Sequence, residues 1–310
     1  MRNNRMIRFF YLAATVIIGL AGTARIVYAQ SLEPRAYSNA PTGLNFVLAG
    51  FQNSSGALLF DPSLPITDVD AKVDLALFGY SRTLDVAGKL AKIGVIIPYA
   101  SLVADGFVDG VFRTRDTDGP GDPALYFSYN FYGAPALSLK EFKTFQPTTV
   151  SGFTFKLTAP LGAYDSDKII NIGTNRWSLE SGIGISHPVA NWTLEASAAV
   201  TLYTDNNNFN SGKTRQQEPI YSTQLHLTYS FPRNIWAALS VTYFTGGRTT
   251  IDGVDLNDLQ QNWRTGFTLA LPVNRYHSIK LDGSRGVSQR TGNDFDALGL
   301  AWQYRWGAGL

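Results

Sequence analysis

The chain has 310 residues, with 26 basic and 24 acidic side chains and no cysteine. Without cysteine it can hold no disulfide framework, no thiolate metal site and no cysteine nucleophile. The near-balanced charge also leaves no basic patch that would indicate binding to nucleic acid.

The first 29 residues have the pattern of a cleaved secretory signal peptide. Residues 2–8 carry three arginines, and residues 9–24 are almost wholly apolar. Residues 27–29 form a small-x-small cleavage site. A retained membrane helix is the alternative, but the apolar run falls short of the about 20 residues that span a bilayer. Cleavage before Gln30 would remove four arginines and no acid, which changes the formal net charge from +2 to −2.

From residue 43 onward, short segments alternate between apolar and polar side chains. In one of them, Leu225 and Leu227 fall on one face of an extended chain, and Gln224 and His226 fall on the other. Successive side chains of a strand point to opposite faces, so this period of two predicts strands. The pattern predicts about twelve strands, at 43–54, 70–82, 90–103, 121–131, 150–159, 176–186, 191–203, 219–230, 234–245, 261–271, 277–287 and 296–306.

The connections between these strands alternate in length. Those after odd-numbered strands are long, as at 104–120, and those after even-numbered strands are mostly tight, as at 187–190; residues 132–149 are an exception. Outer-membrane barrels have short periplasmic turns and long external loops. We therefore predict an all-β fold, a transmembrane antiparallel β-barrel of about twelve strands arranged as an up-and-down meander over residues 43–310 in the outer membrane. Residues 30–42 would form a periplasmic segment that either folds back as a small plug or trails away from the barrel.

The charged side chains predict the phase of each strand, that is, which of its two faces points into the lumen. A charge that faces hydrocarbon at the middle of the membrane costs about 2–4 kcal/mol, so charges should face the lumen. We expect most of them to pair with one another inside the barrel and some to meet a permeating solute. This rule places the following residues inside: Lys72, Asp74, Lys92, Lys156, Glu180, Glu195, His226, Arg264, Lys280, Asp282 and Arg305.

Several aromatic side chains share the inward phase. Such rings could stack on an aromatic solute, or they could simply fill the narrow interior of a small barrel. The sequence leaves both interpretations open. The set comprises Phe78, Tyr80, Tyr126, Tyr203, Trp236 and Phe244.

Several short stretches carry a resemblance to a known family. They include Gly121-Asp122-Pro123, Pro160-Leu161-Gly162-x-Tyr164-Asp165, Asn171-x-Gly173-Thr174-Asn175-Arg176-Trp177 and Tyr243-x-x-Gly246-Gly247. From about Arg35 to Trp306 the chain resembles the outer-membrane transporter family described as putative MetA-pathway of phenol degradation. The resemblance implies an outer-membrane barrel linked to the uptake of aromatic or other hydrophobic compounds.

The predicted function is passive uptake of small hydrophobic or aromatic, phenol-like compounds through the outer membrane. The alternatives are a non-selective small porin and a lipid-modifying enzyme. The predicted partners are membrane lipids, lipopolysaccharide, a small hydrophobic solute and the outer-membrane assembly machinery, with no nucleic acid. The sequence implies no cofactor.

Catalytic and metal-binding patterns are weak in this chain. His226 shares its strand with Ser222 and Ser230, but both lie roughly 13 Å away along an extended chain, too far for a hydrogen bond. The acidic stretch 116–122 resembles a calcium loop only faintly, because Phe127 occupies the position where such a loop needs glutamate. We therefore predict neither a catalytic residue nor a metal site.

Overall fold

The computed structural model describes residues 33–60 and 66–310. The predicted signal peptide, and residues 30–32 of the segment that follows it, lie outside the described residues. Within the two described ranges, one helical turn, α1 (Leu139–Phe142), and one 3-10 turn at Pro232–Asn234 accompany the strands. The strands are β1 (Leu44–Leu59), β2 (Ile66–Val86), β3 (Lys89–Val108), β4 (Val111–Pro120), β5 (Ala124–Tyr132), β6 (Val150–Thr158), β7 (Ser178–Val189), β8 (Trp192–Tyr203), β9 (Asn206–Phe209), β10 (Lys213–Gln217), β11 (Ile220–Ser230), β12 (Trp236–Gly246), β13 (Thr249–Ile251), β14 (Val254–Asp255), β15 (Gln260–Pro272), β16 (His277–Ser288) and β17 (Gly292–Gly307).

Antiparallel pairing closes the large sheet into a barrel. Each strand pairs with the next in the ring, and β1 pairs with β17, so no edge stays open around the ring. Of the thirteen strands in this sheet, β4 and β5 share one side of β3, with β4 beside its external part and β5 beside its periplasmic part. The ring therefore contains twelve strands, as predicted. Closure suits a membrane because hydrocarbon cannot satisfy unpaired backbone groups.

The periplasmic turns are mostly short. Ala87 and Gly88 connect β2 to β3 with φ angles of 52° and 74°. Two consecutive left-handed residues form the hairpin turn that matches the twist of the flanking strands, and glycine adopts this conformation without strain. The connection is therefore tighter than the predicted link at 83–89. Among the described residues, no helix has the length and hydropathy needed to cross a membrane.

The outer surface of the barrel is apolar. Large side chains point away from the lumen with much of their surface exposed, including Leu239 at 65% and Leu225 at 55%. Aromatic rings cluster near the strand ends, where Trp192 lies 4.7 Å from Tyr229 between ring centroids. Exposed apolar side chains flanked by aromatic rings are typical of a surface that contacts lipid.

A second, smaller sheet stands on the external side of the barrel. It has the order β14-β13-β10-β9 and is built from the two connections that join β8 to β11 and β12 to β15. Residues 204–218 and 246–260 were expected to form loops only. Short strands with little apolar alternation, such as β9 (NNNF), explain why the pattern missed them.

The predicted phase of β2 is wrong. Lys72, Asp74, Phe78 and Tyr80 point outward, because β2 pairs residue by residue with β3 and its odd-numbered side chains share the inner face with Lys92. Phe78 is 58% exposed, and the Tyr80 hydroxyl donates a hydrogen bond of 2.9 Å to Asn45 on the outer surface.

The length of β2 gives the physical reason for this error. The strand has 21 residues, about twice the 9–11 that cross the hydrocarbon. Lys72 and Asp74 lie toward its external end, where the outer face contacts water or lipid headgroups. The cost of charge in hydrocarbon therefore does not constrain these two residues.

Candidate functional site

One side of the lumen is lined by apolar side chains. In the strand register, Leu75 stands beside Gln52 of β1 and Ala100 of β3, and Leu77 stands beside Gly50 and Pro98. Both leucines therefore share the inner face. We call this surface the apolar wall. It comprises Leu48, Val73, Leu75, Leu77, Ile96 and Pro98, on the inner faces of β1, β2 and β3.

The sequence carried a signal for this wall that the charge rule missed. Residues 93–100 read Ile-Gly-Val-Ile-Ile-Pro-Tyr-Ala, so β3 is apolar on both faces. A strand of a water-filled barrel is polar on its inner face. An apolar run on both faces therefore indicates that this part of the lumen is itself apolar.

An apolar cluster continues the wall toward the external end. Val73, Leu75, Ala100 and Phe295 belong to it, and each is at most 5% exposed. Ile170 and Ile172, from the loop between β6 and β7, pack against the cluster from above. The external end of the apolar wall is thus covered by residues of one external loop.

The opposite side of the lumen is polar. The His226 imidazole lies 2.8 Å from the Ser240 hydroxyl, measured from Nδ1 to Oγ, and both side chains are buried. The inner faces of β11, β12 and β15 form this surface, which we call the polar wall. It comprises His226, Thr228, Ser240, Thr242, Arg264 and Thr268.

Most of the predicted inward charges lie on the inner face. Lys156 and Glu180 form an ion pair at 2.8 Å, with 35% and 36% of their side chains exposed. Arg305 lies at the periplasmic end, where its Nε donates to the carbonyl of Arg275. The pairing of the strands also places the following on this face: Lys92, Glu195, His226, Arg264, Lys280 and Asp282.

The four remaining predicted aromatic residues face inward but occupy different surroundings. The ring of Tyr126 covers Gly94, where a Cβ atom would come within 2.5 Å of it. Phe244 is buried, with 3% of its surface exposed. Trp236 and Tyr203 lie under the guanidinium groups of Arg35 and Arg176, at 5.5 and 4.3 Å from their ring centroids.

The chain before β1 runs inside the periplasmic half of the barrel. The backbone N–H of Arg35 donates to the carboxylate of Glu195. Lys92 Nζ donates to the carbonyl of Ala36 at 2.9 Å, and Asn130 donates to the carbonyl of Tyr37 at 3.1 Å. Three lumen-facing side chains from three strands therefore hold consecutive residues of this segment.

Tyr37 fixes the segment most firmly. Its side chain is 5% exposed and lies against Gly152 of β6 and Gly184 of β7. A Cβ atom at Gly184 would collide with the Tyr37 ring. Glycine at these inward positions therefore makes room for a ring that enters from outside the strand framework.

The long periplasmic connection at 133–149 lies next to this segment. The N–H of Thr42 donates to the carbonyl of Leu137 at 2.8 Å, and the amide of Asn39 donates to the carbonyl of Pro135 at 3.4 Å. Leu90 and Ala134 are fully buried beside Tyr37 in one apolar cluster. This long periplasmic connection therefore contacts the segment that enters the barrel.

The buried histidine has a serine partner on the neighbouring strand. Alternation along β11 relates His226 only to Ser222 and Ser230, whereas Ser240 stands directly opposite on β12. Glu195 occupies the same row on β8, but its carboxylate accepts from Arg35. The pair also faces the lumen rather than the lipid. Among the residues that the structure describes, no group of three His, Cys, Asp or Glu side chains could hold a metal.

Comparison with known structures identifies the fold class as an outer-membrane β-barrel. The COG4313 outer membrane channel from Pseudomonas putida F1 superposes with a TM-score of 0.77 at 19% identity, covering 89% of this chain and 100% of that one. The beta domain of the Bordetella autotransporter BrkA gives a TM-score of 0.48 at 11% identity, covering 86% and 100%. The TodX monoaromatic hydrocarbon channel, as a deltaS2S3 mutant, gives 0.48 at 11% identity, covering 92% and 96%.

The sequence itself places the chain in a family. The family model described as "Putative MetA-pathway of phenol degradation" matches residues 49–304. The protein therefore belongs to that family, as the resemblance predicted. Comparison with curated proteins gives no match.

Proposed function

We propose that the protein is an outer-membrane channel for the passive uptake of small hydrophobic or aromatic compounds of the phenol type. The observation that carries this proposal is the apolar wall. A general porin needs a polar interior that holds a continuous column of water. A lumen with one apolar side instead offers a hydrocarbon-like surface to a solute that lipopolysaccharide would otherwise keep out.

The comparisons support the same class of function. The family description refers to phenol degradation, and the first of the similar structures is named as an outer membrane channel. Passive movement requires no cofactor and no energy source. The protein would meet lipopolysaccharide at its external surface and reach the membrane through the outer-membrane assembly machinery.

Uptake into whole cells tests the proposal because the lipopolysaccharide barrier is then present. Cells that express the protein should accumulate labelled phenol and toluene faster than cells without it, while uptake of a labelled disaccharide stays at background. Replacing Leu77→Asn and Ile96→Asn together should remove the advantage. Gln224→Asn is the matched control, since Gln224 faces inward on the opposite side. An equal increase for sugar and toluene would favour a non-selective porin and contradict the proposal.

We also propose that residues 30–42 form a plug in the periplasmic half of the barrel after the signal peptide, residues 1–29, has been removed. The hydrogen bonds to Glu195, Lys92 and Asn130 support this role. In planar bilayers the intact protein should show little conductance, and deletion of residues 33–40 should produce steady open steps. Identical conductance of the two proteins would contradict the plug.

We propose no enzymatic activity for the His226–Ser240 pair. Its two side chains are buried in the barrel interior, and the hydrogen bond that His226 Nδ1 makes among the described residues is with Ser240 rather than with a carboxylate. The His226→Ala protein should show the same lipid composition in expressing cells as the native protein. A lipid change that depends on His226 would contradict this view.

A further inference from the structure

Two arginines lie together at the external end of the lumen. Arg176 lies two residues before β7 and is 8% exposed, with its guanidinium carbon 4.3 Å from the ring centroid of Tyr203. Arg215 belongs to β10 in the external sheet, with its guanidinium carbon 5.3 Å from the centroid of Phe209. Arg176 also donates to the side-chain oxygen of Gln217, which shares a face of β10 with Arg215.

Neither guanidinium has a carboxylate partner among the described residues. The ion pairs present there are Lys156–Glu180 and Arg285–Asp296. The buried Nη1 atom of Arg176 has no hydrogen-bond partner at all. Leaving a buried donor unsatisfied is costly, so this nitrogen would gain from an acceptor that enters the site.

The acidic residues that act electrostatically on the arginines are already occupied. Asp122 accepts from the backbone N–H groups of Gly162 and Thr174, both at 2.8 Å. Asp258 accepts from the backbone N–H of Thr249 at 2.8 Å and also from its hydroxyl. These carboxylates hold loops in place and leave the two positive charges without a direct counter-ion.

The two arginines also repel each other. Burial, and then the neighbouring charge of Arg215, lower the pKa of Arg176 to about 10. The group still carries its charge at neutral pH. Two buried or half-buried cations held close together without a contacting anion form a site that would gain from binding one.

The same loop connects this charged site to the apolar cluster. Arg176 stands four residues after Ile172, and Ile170 and Ile172 pack on the cluster at the end of the apolar wall. The external end therefore combines cationic groups, aromatic rings and an apolar surface. A ligand with a flat apolar body and a single anionic head would use all three.

We propose that Arg176 and Arg215 form a binding site for aromatic carboxylates, of which benzoate is the simplest probe. The proposal rests on the channel function proposed above and narrows it to include anionic aromatic solutes. A planar carboxylate matches the fork of a guanidinium group better than a point charge does. The rings of Tyr203 and Phe209 would flank the ligand, and the anion would relieve the repulsion between the arginines.

Binding to the purified barrel in detergent tests this site. Titration with benzoate should give a saturable signal, and Arg176→Gln and Arg215→Gln should each weaken affinity by tenfold or more. Arg176→Lys should weaken it less, because the charge remains. Arg113→Gln is the matched control, since Arg113 is an exposed arginine on β4, and it should leave affinity unchanged. The mobility difference between heated and unheated protein in gels will show that each variant has folded.

Competition with inorganic phosphate separates the aromatic carboxylate from other sources of negative charge. Inorganic phosphate, which also represents a lipid headgroup phosphate, should displace benzoate at least tenfold more weakly than benzoate binds. Equal competition by phosphate, absent benzoate binding, or equal affinity in the arginine variants would each overturn the site. Toluene uptake in cells reports on the channel separately: if it persists while benzoate binding fails, only the site is wrong, and if both fail, the proposed function is wrong as well.

Discussion

The two sides of the lumen differ in the chemistry of the side chains that they present. The apolar wall presents leucine, isoleucine, valine and proline to the interior, whereas the polar wall presents hydroxyl groups, His226 and Arg264. Both sides are built from antiparallel strands of one closed sheet. The comparison shows that the rule of apolar outside and polar inside holds for part of this barrel only.

The two walls contribute different interactions. Hydroxyl groups and charges on the polar wall bond to one another and to the backbone, as in the pair of His226 and Ser240. The apolar wall makes no such bonds and provides surface on which an apolar solute loses contact with water. Burial of that kind contributes about 25 cal/mol per Å² of apolar surface.

The largest expected effect comes from a charge on the apolar wall. Leu75 is 3% exposed, so Leu75→Asp would bury a carboxylate with no partner and should lower the free energy of unfolding by more than about 3 kcal/mol. Asp74→Ala, one residue away and facing outward, should cost less than about 1 kcal/mol. Urea unfolding of the barrel in vesicles measures both. The opposite order of the two losses would restore the inward phase first predicted for β2.

A charge on the outer face should produce the next largest effect. Phe78 faces hydrocarbon, so Phe78→Arg should lower the free energy of unfolding in vesicles by about 2–4 kcal/mol. Val111→Arg is the control, because Val111 is 52% exposed at the external tip of the β3–β4 hairpin. If the two substitutions cost the same, Phe78 does not contact lipid.

A smaller loss is expected when one hydrogen bond of the polar wall is removed. Ser240→Ala takes away the partner of the buried His226 Nδ1 atom and should cost about 1–3 kcal/mol, the penalty for an unsatisfied buried group. Ser222 lies on the same inner face of β11 as His226 but is only half-buried, so Ser222→Ala should cost clearly less. Thermal unfolding in detergent compares them, and equal losses would mean that the His226 contact does not stabilise the wall.

The smallest effect belongs to the ion pair on the inner face. Lys156 and Glu180 remain about one-third exposed, so water screens their attraction and Lys156→Met should cost less than about 1 kcal/mol. Raising the salt concentration should shrink even this difference. A loss of several kcal/mol that is insensitive to salt would show that the lumen around the pair is dry.

The sequence was sufficient to predict the closed barrel and the phase of the later strands. On β11 the inward residues from Ser222 to Ser230 are all polar and the outward ones are mostly apolar, because hydrocarbon contacts only one side of the strand. On β2 the same logic failed, since Lys72 and Asp74 stand beyond the hydrocarbon and tolerate either face. Charge fixes phase only where a strand is actually immersed in lipid.

Contacts between distant parts of the chain lay beyond sequence reasoning. The meeting of Tyr37 with Gly152 and Gly184 depends on closure of the barrel, which brings residues far apart in sequence together. The pairing of His226 with Ser240 required the register of two strands, which alternation alone does not define. The proximity of Arg176 and Arg215 likewise depends on the external sheet, because Arg215 lies on β10 and Arg176 lies before β7.

Protection of single cysteines by phenol tests most directly whether the apolar wall is the path of the solute. The chain contains no cysteine, so Leu77→Cys on the apolar wall and Gln224→Cys on the polar side can each be labelled alone with a small water-soluble thiol reagent. We predict that phenol slows labelling at position 77 several-fold and leaves position 224 nearly unchanged. Equal protection at both positions, or stronger protection at 224, would contradict the account.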